Sequence, residues 1–384
     1  MIYLDNAATT PIDPIVLETM MPYLTTEYGN PGGLYTLGRS ANAAVQTARE
    51  QVAHFIKASP EQVIFTSGGS EANNLVFFGI EDYLKARGKT HILVSSIEHD
   101  SVLKAAQSLE ENGFTVERIP PLLGVATIAV EDICQMIRPE TGLVSVMYAN
   151  NETGDISNVF DIGRACHSEG VLFHTDCVQA AGCIDLNTQI MPCDFLSISS
   201  HKIHGPKGVG ALFVRDKSLM MPLIYGGSSQ EFGLRGGTEN VAGIVGFGKA
   251  CELAQEHIHD KSDVESVFRT VIGDAIRGKR IRGIHINGKV YTDHIWKTLS
   301  ITVDDLDAQT LLLLLDANGV CASAGSACCS HDNIPSHVLT AIGLTDKQAR
   351  ETLRFSFSRM TSRKEAIQAA EIFVRCVETA RSLT

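Results

Sequence analysis

Asp194-Phe195-Leu196-Ser197-Ile198-Ser199-Ser200-His201-Lys202-Ile203-His204-Gly205-Pro206-Lys207-Gly208-Val209-Gly210 combines a short apolar strand, a polar Ser-Ser-His-Lys turn and a Gly/Pro-punctuated loop that leads into a second strand, Ala211 to Val214. Lys202 therefore falls where a strand runs out. In open α/β sheets ligands sit beyond the carboxyl ends of strands, and an amine held there, partly out of water, loses basicity and gains the ability to attack an aldehyde. A solvated lysine in a basic loop is the plainer alternative. Ser199 and His201 weigh against it, because a hydroxyl and an imidazole suit a phosphate on the molecule whose aldehyde the lysine holds. Pyridoxal phosphate is such a molecule, and it also calls for a carboxylate near its ring nitrogen.

Val171-Leu172-Phe173-His174-Thr175-Asp176 is a further apolar run with a polar end, which places Asp176 at the carboxyl end of a neighbouring strand. A carboxylate there keeps a pyridine nitrogen protonated and makes the ring an electron sink. Taken alone, an Asp before Cys177-Val178-Gln179-Ala180 is more often a helix N-cap. What favours the cofactor is the strand-end Asp together with the strand-end Ser-x-His-Lys. Upstream, a strand over Val63–Thr66 runs into Ser67-Gly68-Gly69-Ser70 and a helix from about Glu71. Gly69 and Ser70 then present backbone N–H groups and the positive end of a helix dipole, a seat for phosphate.

Strands and helices continue to alternate through His91–Ser95, Ser101–Asn112, Leu143–Tyr148 and Asn158–Glu169. That rhythm predicts an α/β fold with a mostly parallel central sheet and helices on both faces. His99 and Asn150-Asn151-Glu152 also fall just after strands. Asp13-Pro14 opens a helix ending near Tyr23, and the loop Gly29-Asn30-Pro31-Gly32-Gly33 precedes a helix from about Ala41 to Lys57. A glycine-rich stretch, Tyr225 to Thr238, precedes a single helix expected from Val241 towards Arg277. Later come strands at Gly283–Asn287 and Thr298–Thr302, a helix over Ala308–Leu315 and a C-terminal helix from Arg363. Cys321 to Leu339 is dominated by small and polar residues and holds Cys328-Cys329, which describes an exposed mobile loop on which a thiol is reachable by a partner.

With 384 residues, 44% of them hydrophobic, the chain can bury a large domain and a smaller one. The leucine run Leu311 to Leu315 is far too short to span a membrane, and Met1-Ile2-Tyr3-Leu4-Asp5 lacks the pattern of a signal peptide, so a cytoplasmic protein is expected. Ten cysteines without metal-ligand spacing fit a reducing compartment. A net charge of −12 argues against direct nucleic-acid binding and leaves room for a basic protein partner.

The chain resembles the pyridoxal-phosphate-dependent cysteine desulfurases of the nitrogen-fixation and iron-sulfur-cluster type, within the class-V aminotransferases. The likeness runs from Tyr3-Leu4-Asp5-Asn6-Ala7-Ala8-Thr9-Thr10-Pro11 to Arg354-Phe355-Ser356. It passes through Thr66-Ser67-Gly68-Gly69-Ser70-Glu71, Glu98-His99, Asn150-Asn151-Glu152, Ser199-Ser200-His201-Lys202, Arg235-Gly236-Gly237-Thr238-Glu239-Asn240 and Ser326-Ala327-Cys328. It implies the fold type I transferase architecture: an N-terminal arm, 1–15, that packs with the small domain; a large cofactor-binding domain, 16–260; and a small domain, 261–384, carrying a catalytic loop, 321–336. It implies that Lys202 forms the Schiff base, that His99 stacks on the ring and moves protons, and that Asp176 pairs with the ring nitrogen. Asn151 and Gln179 would meet the ring hydroxyl; Gly69, Ser70, Ser199, His201 and, from the other subunit of a homodimer, Thr238 would hold the phosphate.

By the same resemblance, Arg354 and Asn151 bind the carboxylate of L-cysteine, and Cys328 is the nucleophile that receives its sulfur, leaving alanine and a persulfide for a sulfur-acceptor protein. A transient iron-sulfur ligand role for Cys328 stays open. So does the acceptor, whether an iron-sulfur scaffold, tRNA thiolation or DNA phosphorothioation. An aminotransferase or selenocysteine lyase is the rival enzyme, and a metal-holding scaffold using Cys328, Cys329 and His331 is the rival non-enzyme, though adjacent cysteine side chains diverge and suit a single metal poorly. Several positions depart from the family. Relatives usually have Ser-Ser at Gly32-Gly33 and His at Tyr35, which predicts a more pliable entrance loop. They also carry Gly at Ser228, Arg at Phe232, and Ser or Thr at Cys329.

Overall fold

The computed structural model describes residues 1–227, 229–259, 263–289, 292–325 and 334–383. Its strands are β1 (Ile2–Tyr3), β2 (Val63–Thr66), β3 (His91–Ser95), β4 (Thr115–Ile119), β5 (Thr141–Ser145), β6 (Leu172–Asp176), β7 (Phe195–Ser199), β8 (Gly210–Val214), β9 (Ile284–Asn287), β10 (Thr298–Val303), β11 (Val320–Cys321) and β12 (Thr352–Ser356). A seven-stranded sheet has the order β2-β8-β7-β6-β5-β3-β4. It is parallel except at β8, which runs against both β2 and β7.

Buried strands with helices on both faces must be apolar on both sides, and the residues sort by the two-residue period of a strand. Leu93, Val144, Phe173, Leu196, Ile198 and Phe213 face one core, shared with helices Thr36–Ile56, Val159–Ser168 and Val241–Glu256. Ile92, Val94, Leu143, Phe195, Leu212 and Val214 face the other, under helices Gly69–Gly79 and Asp100–Glu111. With hydrophobic residues committed on both faces, polar side chains at the strand ends are left to gather beyond one edge of the sheet. The carboxyl ends of β2, β3, β5, β6 and β7 point to that edge.

A separate core, apart from the two that flank the large sheet, lies around the antiparallel sheet β12-β10-β9. Phe268, Phe355, Phe357 and Phe373 stack there, with Phe268 and Phe355 centroids 4.8 Å apart. Ile2 and Leu4 belong to this core, because β1 pairs in parallel with β11.

The expected continuous helix from Val241 towards Arg277 is instead two helices, Val241–Glu256 and Val264–Arg277. The reason is packing. Phe247, Cys251 and Ala254 of the first serve the large sheet's core, whereas Phe268, Ile272 and Ala275 of the second serve the phenylalanine core, and one straight helix cannot face both.

The glycine-rich stretch that follows β8 is tied down by a buried ion pair. Arg49, 4% exposed, donates from both terminal nitrogens to Glu231, 5% exposed, at 2.9 and 2.7 Å, and also to Val63 O at 2.6 Å. Glu231 additionally accepts from Phe65 N at 2.7 Å. One carboxylate thus joins a helix, β2 and the loop that leads to Thr238. Removing one partner of a buried pair strands the other charge, so Glu231→Ala should lower the unfolding free energy by about 3–5 kcal/mol, read as a shifted denaturant midpoint. A loss under about 1 kcal/mol would mean that the pair does not anchor the loop.

Candidate functional site

Beyond the sheet edge lies a cavity of about 310 Å³, lined by Ala7, Ala8, Gly69, Ser70, Asn73, His99, Ser101, Met147, Asn151, Asp176, Val178, Gln179, Ser199, His201, Lys202 and Arg354. Each wall is set by local structure. The helix Gly69–Gly79 begins two residues before Glu71, which puts Gly69 and Ser70 in its first turn with their amides at the dipole's positive end. His99 is the N-cap of Asp100–Glu111. Asp176 ends β6, Ser199 ends β7, and Lys202 closes the short 3-10 turn Ser200–Lys202 that follows. Arg354 comes from β12, across from these strand ends.

Lys202 Nζ donates to the carbonyls of Ala7 at 2.6 Å and Ala8 at 2.8 Å. Loss of water around the amine, with repulsion from Arg354 and Lys297, lowers its pKa to about 7 despite Asp176 and Asp5. His201 is likewise pushed down to about 4 by burial and by Lys202 and Lys207, so at neutral pH it is an uncharged imidazole, bonded through Nδ1 to Thr9 Oγ1 at 3.1 Å.

Asp176 acts as a local cap and also lines the cavity. Its Oδ1 accepts from Val178 N at 2.9 Å in the manner of a cap, while Oδ2 accepts from Asn73 Nδ2 at 2.8 Å. Asn73 also donates to Ser101 Oγ at 2.9 Å, and Ser101 Oγ lies 2.8 Å from His99 Nδ1. The Ser101 backbone N–H donates to the same Nδ1 at 3.1 Å, which leaves the ring proton on Nε2. A continuous hydrogen-bonded chain therefore runs from the carboxylate to the imidazole. Beneath it, Glu98 Oε1 accepts from Ser95 Oγ at 2.5 Å and Met147 N at 2.6 Å. Burial, with Asp176 nearby, raises this acid to about 8, so it stands neutral at pH 7.

Arg354 Nη1 donates to Asn151 O at 3.0 Å and Nη2 to Asp5 Oδ1 at 2.9 Å, which fixes the plane of a guanidinium suited to a carboxylate. Ser199 Oγ, Gln179 Oε1, Asn73 Oδ1 and Arg354 Nε are buried without a hydrogen-bond partner among the described residues. Such groups are expensive to leave unpaired. Four of them on residues lining one cavity match a polar, multiply anchored ligand.

Of the residues expected from the sequence, Gly69, Ser70, His99, Asn151, Asp176, Gln179, Ser199, His201, Lys202 and Arg354 line this cavity together. Thr238 is exposed and not on its wall. Cys328, Cys329, His331 and Ser228 lie outside the described residues. Sequence reasoning missed Asn73, Ser101 and the Ala7 and Ala8 carbonyls. Asn73 could have been found from its place one helical turn after Gly69. Carbonyls arriving from the far end of the chain leave no such mark.

The lysine's state can be measured. Near pH 7 about half of the Lys202 amine is neutral, against roughly one in three thousand for an ordinary lysine. Capture of pyridoxal phosphate by the cofactor-free protein, trapped with borohydride and located on Lys202, should accelerate from about pH 6 to 8 and then level off. A rate still climbing through pH 10 would contradict the desolvated amine.

The "Aminotransferase class-V" family profile matches residues 2–369. The chain is 41% identical over 386 residues to "Cysteine desulfurase IscS" of Clostridium botulinum, covering 100% of this chain and 96% of that protein. The solved structure of a NifS-like protein superposes with a TM-score of 0.89 at 32% identity, covering 100% of both chains. Another, described as SspA in complex with cysteine, gives 0.81 at 36% identity, covering 93% of this chain and 99% of that one. The chain belongs to the class-V aminotransferase family, among relatives that are cysteine desulfurases.

Proposed function

We infer that this protein is a cysteine desulfurase that uses pyridoxal phosphate, takes L-cysteine to L-alanine and leaves the sulfur as a persulfide on Cys328. The observation that carries the reading is a desolvated Lys202 sharing one cavity with Asp176 and an Arg354 held flat by Asp5 and Asn151. The residues present fit the cofactor. Lys202 would hold its aldehyde carbon, Asp176 its ring nitrogen, His99 its ring face, Asn151 and Gln179 its hydroxyl. The first-turn amides of Gly69 and Ser70, the unpartnered Ser199 Oγ and the neutral His201 would hold its phosphate. When bound, pyridoxal phosphate supplies an aldehyde for the amine and a protonated ring that accepts electrons from the substrate's Cα.

The protein's own groups do the rest. Arg354 binds the carboxylate of cysteine bidentately, with Asn151 beside it. Lys202, about half of it neutral near pH 7, takes the proton from Cα and can return it, and His99, oriented by Ser101, is the second proton carrier. The Cys328 thiolate attacks the substrate sulfur, the Cβ–S bond breaks, and Cβ gains a proton. Cysteine plus one thiol thus become alanine plus one persulfide, with no outside oxidant. The amino-group transfer of an aminotransferase needs no such thiol, so the rival enzyme reading turns on whether Cys328 is required.

The reading extends to a homodimer in which Thr238 serves the partner's phosphate site. Its exposure supports this, as does the run of exposed apolar side chains Ile15, Leu17, Met21, Leu24 and Tyr28 on and just beyond the helix Pro14–Thr25. An arm 1–15, a domain 16–260 and a domain 261–384 fit the two separate cores. Among the described residues no helix is long and apolar enough to cross a membrane, and we place the protein in the cytoplasm with a sulfur-acceptor protein as its partner.

Lys202→Ala should abolish the visible absorbance of the bound cofactor, and a chromophore still reducible onto protein in that variant would mean that another lysine holds it. Cys328→Ser should stop alanine release while the visible spectrum of the holoenzyme stays, because the thiol acts after the cofactor has bound. Cys329→Ser should keep most of the rate and alter only how long the persulfide survives, since bonding adjacent cysteines strains the intervening peptide. Alanine release with persulfide mass spectrometry decides it: an active Cys328 variant beside an inactive Cys329 variant would move the nucleophile by one residue.

A further inference from the structure

A smaller cavity, of about 40 Å³, shares Lys202 with the site described above. Lys297, Cys183, Trp296, His204 and Arg359 also line it. Lys297 is only 5% exposed, and the fold fixes where it stands. It comes immediately before β10, and its carbonyl accepts from Phe357 N at 2.7 Å, just beyond β12. An ammonium buried in this way is costly unless a negative charge meets it.

Among the described residues no carboxylate pairs with Lys297. Its side-chain hydrogen-bond partner is Cys183, whose thiol burial pushes up although the ammonium beside it pulls the other way. A thiol that keeps its proton carries no charge and accepts only weakly. The other groups on the wall leave this charge as it is. Arg359 is already paired with Asp13, and His204, bonded through Nδ1 to Pro11 O at 2.9 Å, is pushed down to about 4 by burial and stands uncharged at neutral pH. Lys297 and Lys202 repel each other. One positive charge without a counter-charge therefore faces a space larger than the roughly 10–15 Å³ that a single water needs.

We propose that this cavity binds one small monovalent inorganic anion of the chloride class, held by the Lys297 ammonium beside the Cys183 thiol and the Trp296 ring. The charge selects the ligand. A single negative charge balances Lys297, whereas a doubly charged oxyanion would bring a second charge out of water with nothing to meet it. Occupancy also has a consequence for Lys202, whose charged neighbours are Arg354 from β12, Lys297 before β10, Asp176 from β6 and Asp5 from the N-terminal segment, with His201 uncharged on its own turn. An anion on Lys297 cancels part of the repulsion and moves Lys202 towards its protonated form. The amine that faces the larger cavity thus becomes sensitive to an ion bound in the smaller one. That consequence matters for catalysis only if Lys202 carries the cofactor, as inferred above, whereas the anion site stands without it.

Trp296 is the single tryptophan of the chain, so its fluorescence reports on this cavity. The full-length protein is titrated with bromide, a heavy-atom quencher close to chloride in size, at an ionic strength held constant with gluconate. Quenching should saturate, chloride should reverse it, and sulfate should not. Lys297→Met removes the charge while keeping the length of the side chain, and it should weaken the saturable phase about tenfold or more. Purely linear, collisional quenching, equal competition by sulfate, or a saturable phase unchanged in Lys297→Met would overturn the site. The first two outcomes are read on the unaltered protein, so the test survives a variant that does not fold. Saturating bromide should also slow capture of pyridoxal phosphate by Lys202 at pH 7, trapped with borohydride, about two- to threefold, and should have no such effect in Lys297→Met. Capture indifferent to bromide would overturn the coupling to Lys202. Absence of any capture on Lys202 would overturn the cofactor reading, while saturable quenching of Trp296 would still establish the anion site.

Discussion

A primary amine kept out of water beside two other cations is the constraint on which the rest of this structure depends. Burial and the neighbouring Arg354 and Lys297 favour the neutral form of Lys202, but a neutral amine still needs acceptors, and it finds them in the carbonyls of Ala7 and Ala8. Those carbonyls come from the opposite end of the sequence, so the first residues must be held in place. They are: β1 pairs with β11, Asn6 Nδ2 donates to Ser356 O at 2.8 Å, and Thr10 N donates to His201 O at 2.9 Å. The segment that satisfies the lysine is fixed by the same strand that carries Arg354. Lysine, N-terminal segment and β12 form one unit, and disturbing any of them alters the basicity of the amine.

The α/β sheet explains why the polar groups collect where they do. Its strands are apolar on both faces, so a polar side chain inside a strand must either be satisfied within the sheet or sit at its end. His174 takes the first course. It is fully buried, bonded to Ser145 Oγ and Ser197 Oγ at 2.8 and 3.1 Å, and pushed to about 3 by burial. Asp176, two residues on, takes the second. Asn73 Nδ2, Ser101 and His99 are bonded in series behind the site, whereas Ser199 Oγ, Gln179 Oε1, Asn73 Oδ1 and Arg354 Nε are left open. A pocket whose side chains are tied to one another while polar atoms on its lining stay open is organised before its ligand arrives.

Much of this was legible in the chain because strand ends leave a strong local mark. An apolar run followed by Ser-Ser-His-Lys or by Thr-Asp states both the strand and the residue that protrudes from it, and Lys202, Asp176, Ser199 and His99 were found in that way. What escaped were relations with no local trace. The two-helix course of residues 241–277 depends on the existence of two cores, which a single amphipathic pattern cannot announce. The pairing of Arg49 with Glu231 spans a large part of the chain, and Glu231 sits in a stretch that reads as flexible because of its glycines. The carbonyls of Ala7 and Ala8 are backbone atoms, and any residue type would have supplied them.

The departures from the family at Gly32, Gly33, Tyr35 and Phe232 make physical sense beside their neighbours. Glycines at 32 and 33 suggested a loose entrance loop. The Tyr35 ring, however, lies directly over residue 33, where a Cβ would stand 2.5 Å from the ring carbons. Gly33 is the space that this tyrosine occupies, and a serine there would expel it. The loop is closed further by Asn30, whose side chain accepts from Gly32 N at 2.9 Å. Phe232 is paired in a similar sense. With φ +57°, its ring has the Lys217 ammonium 3.6 Å and the Arg49 guanidinium 5.2 Å from its centroid. An arginine side chain at that position would add a third cation to this group, whereas an aromatic ring is attracted to the two already present. At Gly33 with Tyr35, and at Phe232 with Lys217 and Arg49, the side chains of this protein thus make a local stabilising arrangement of their own.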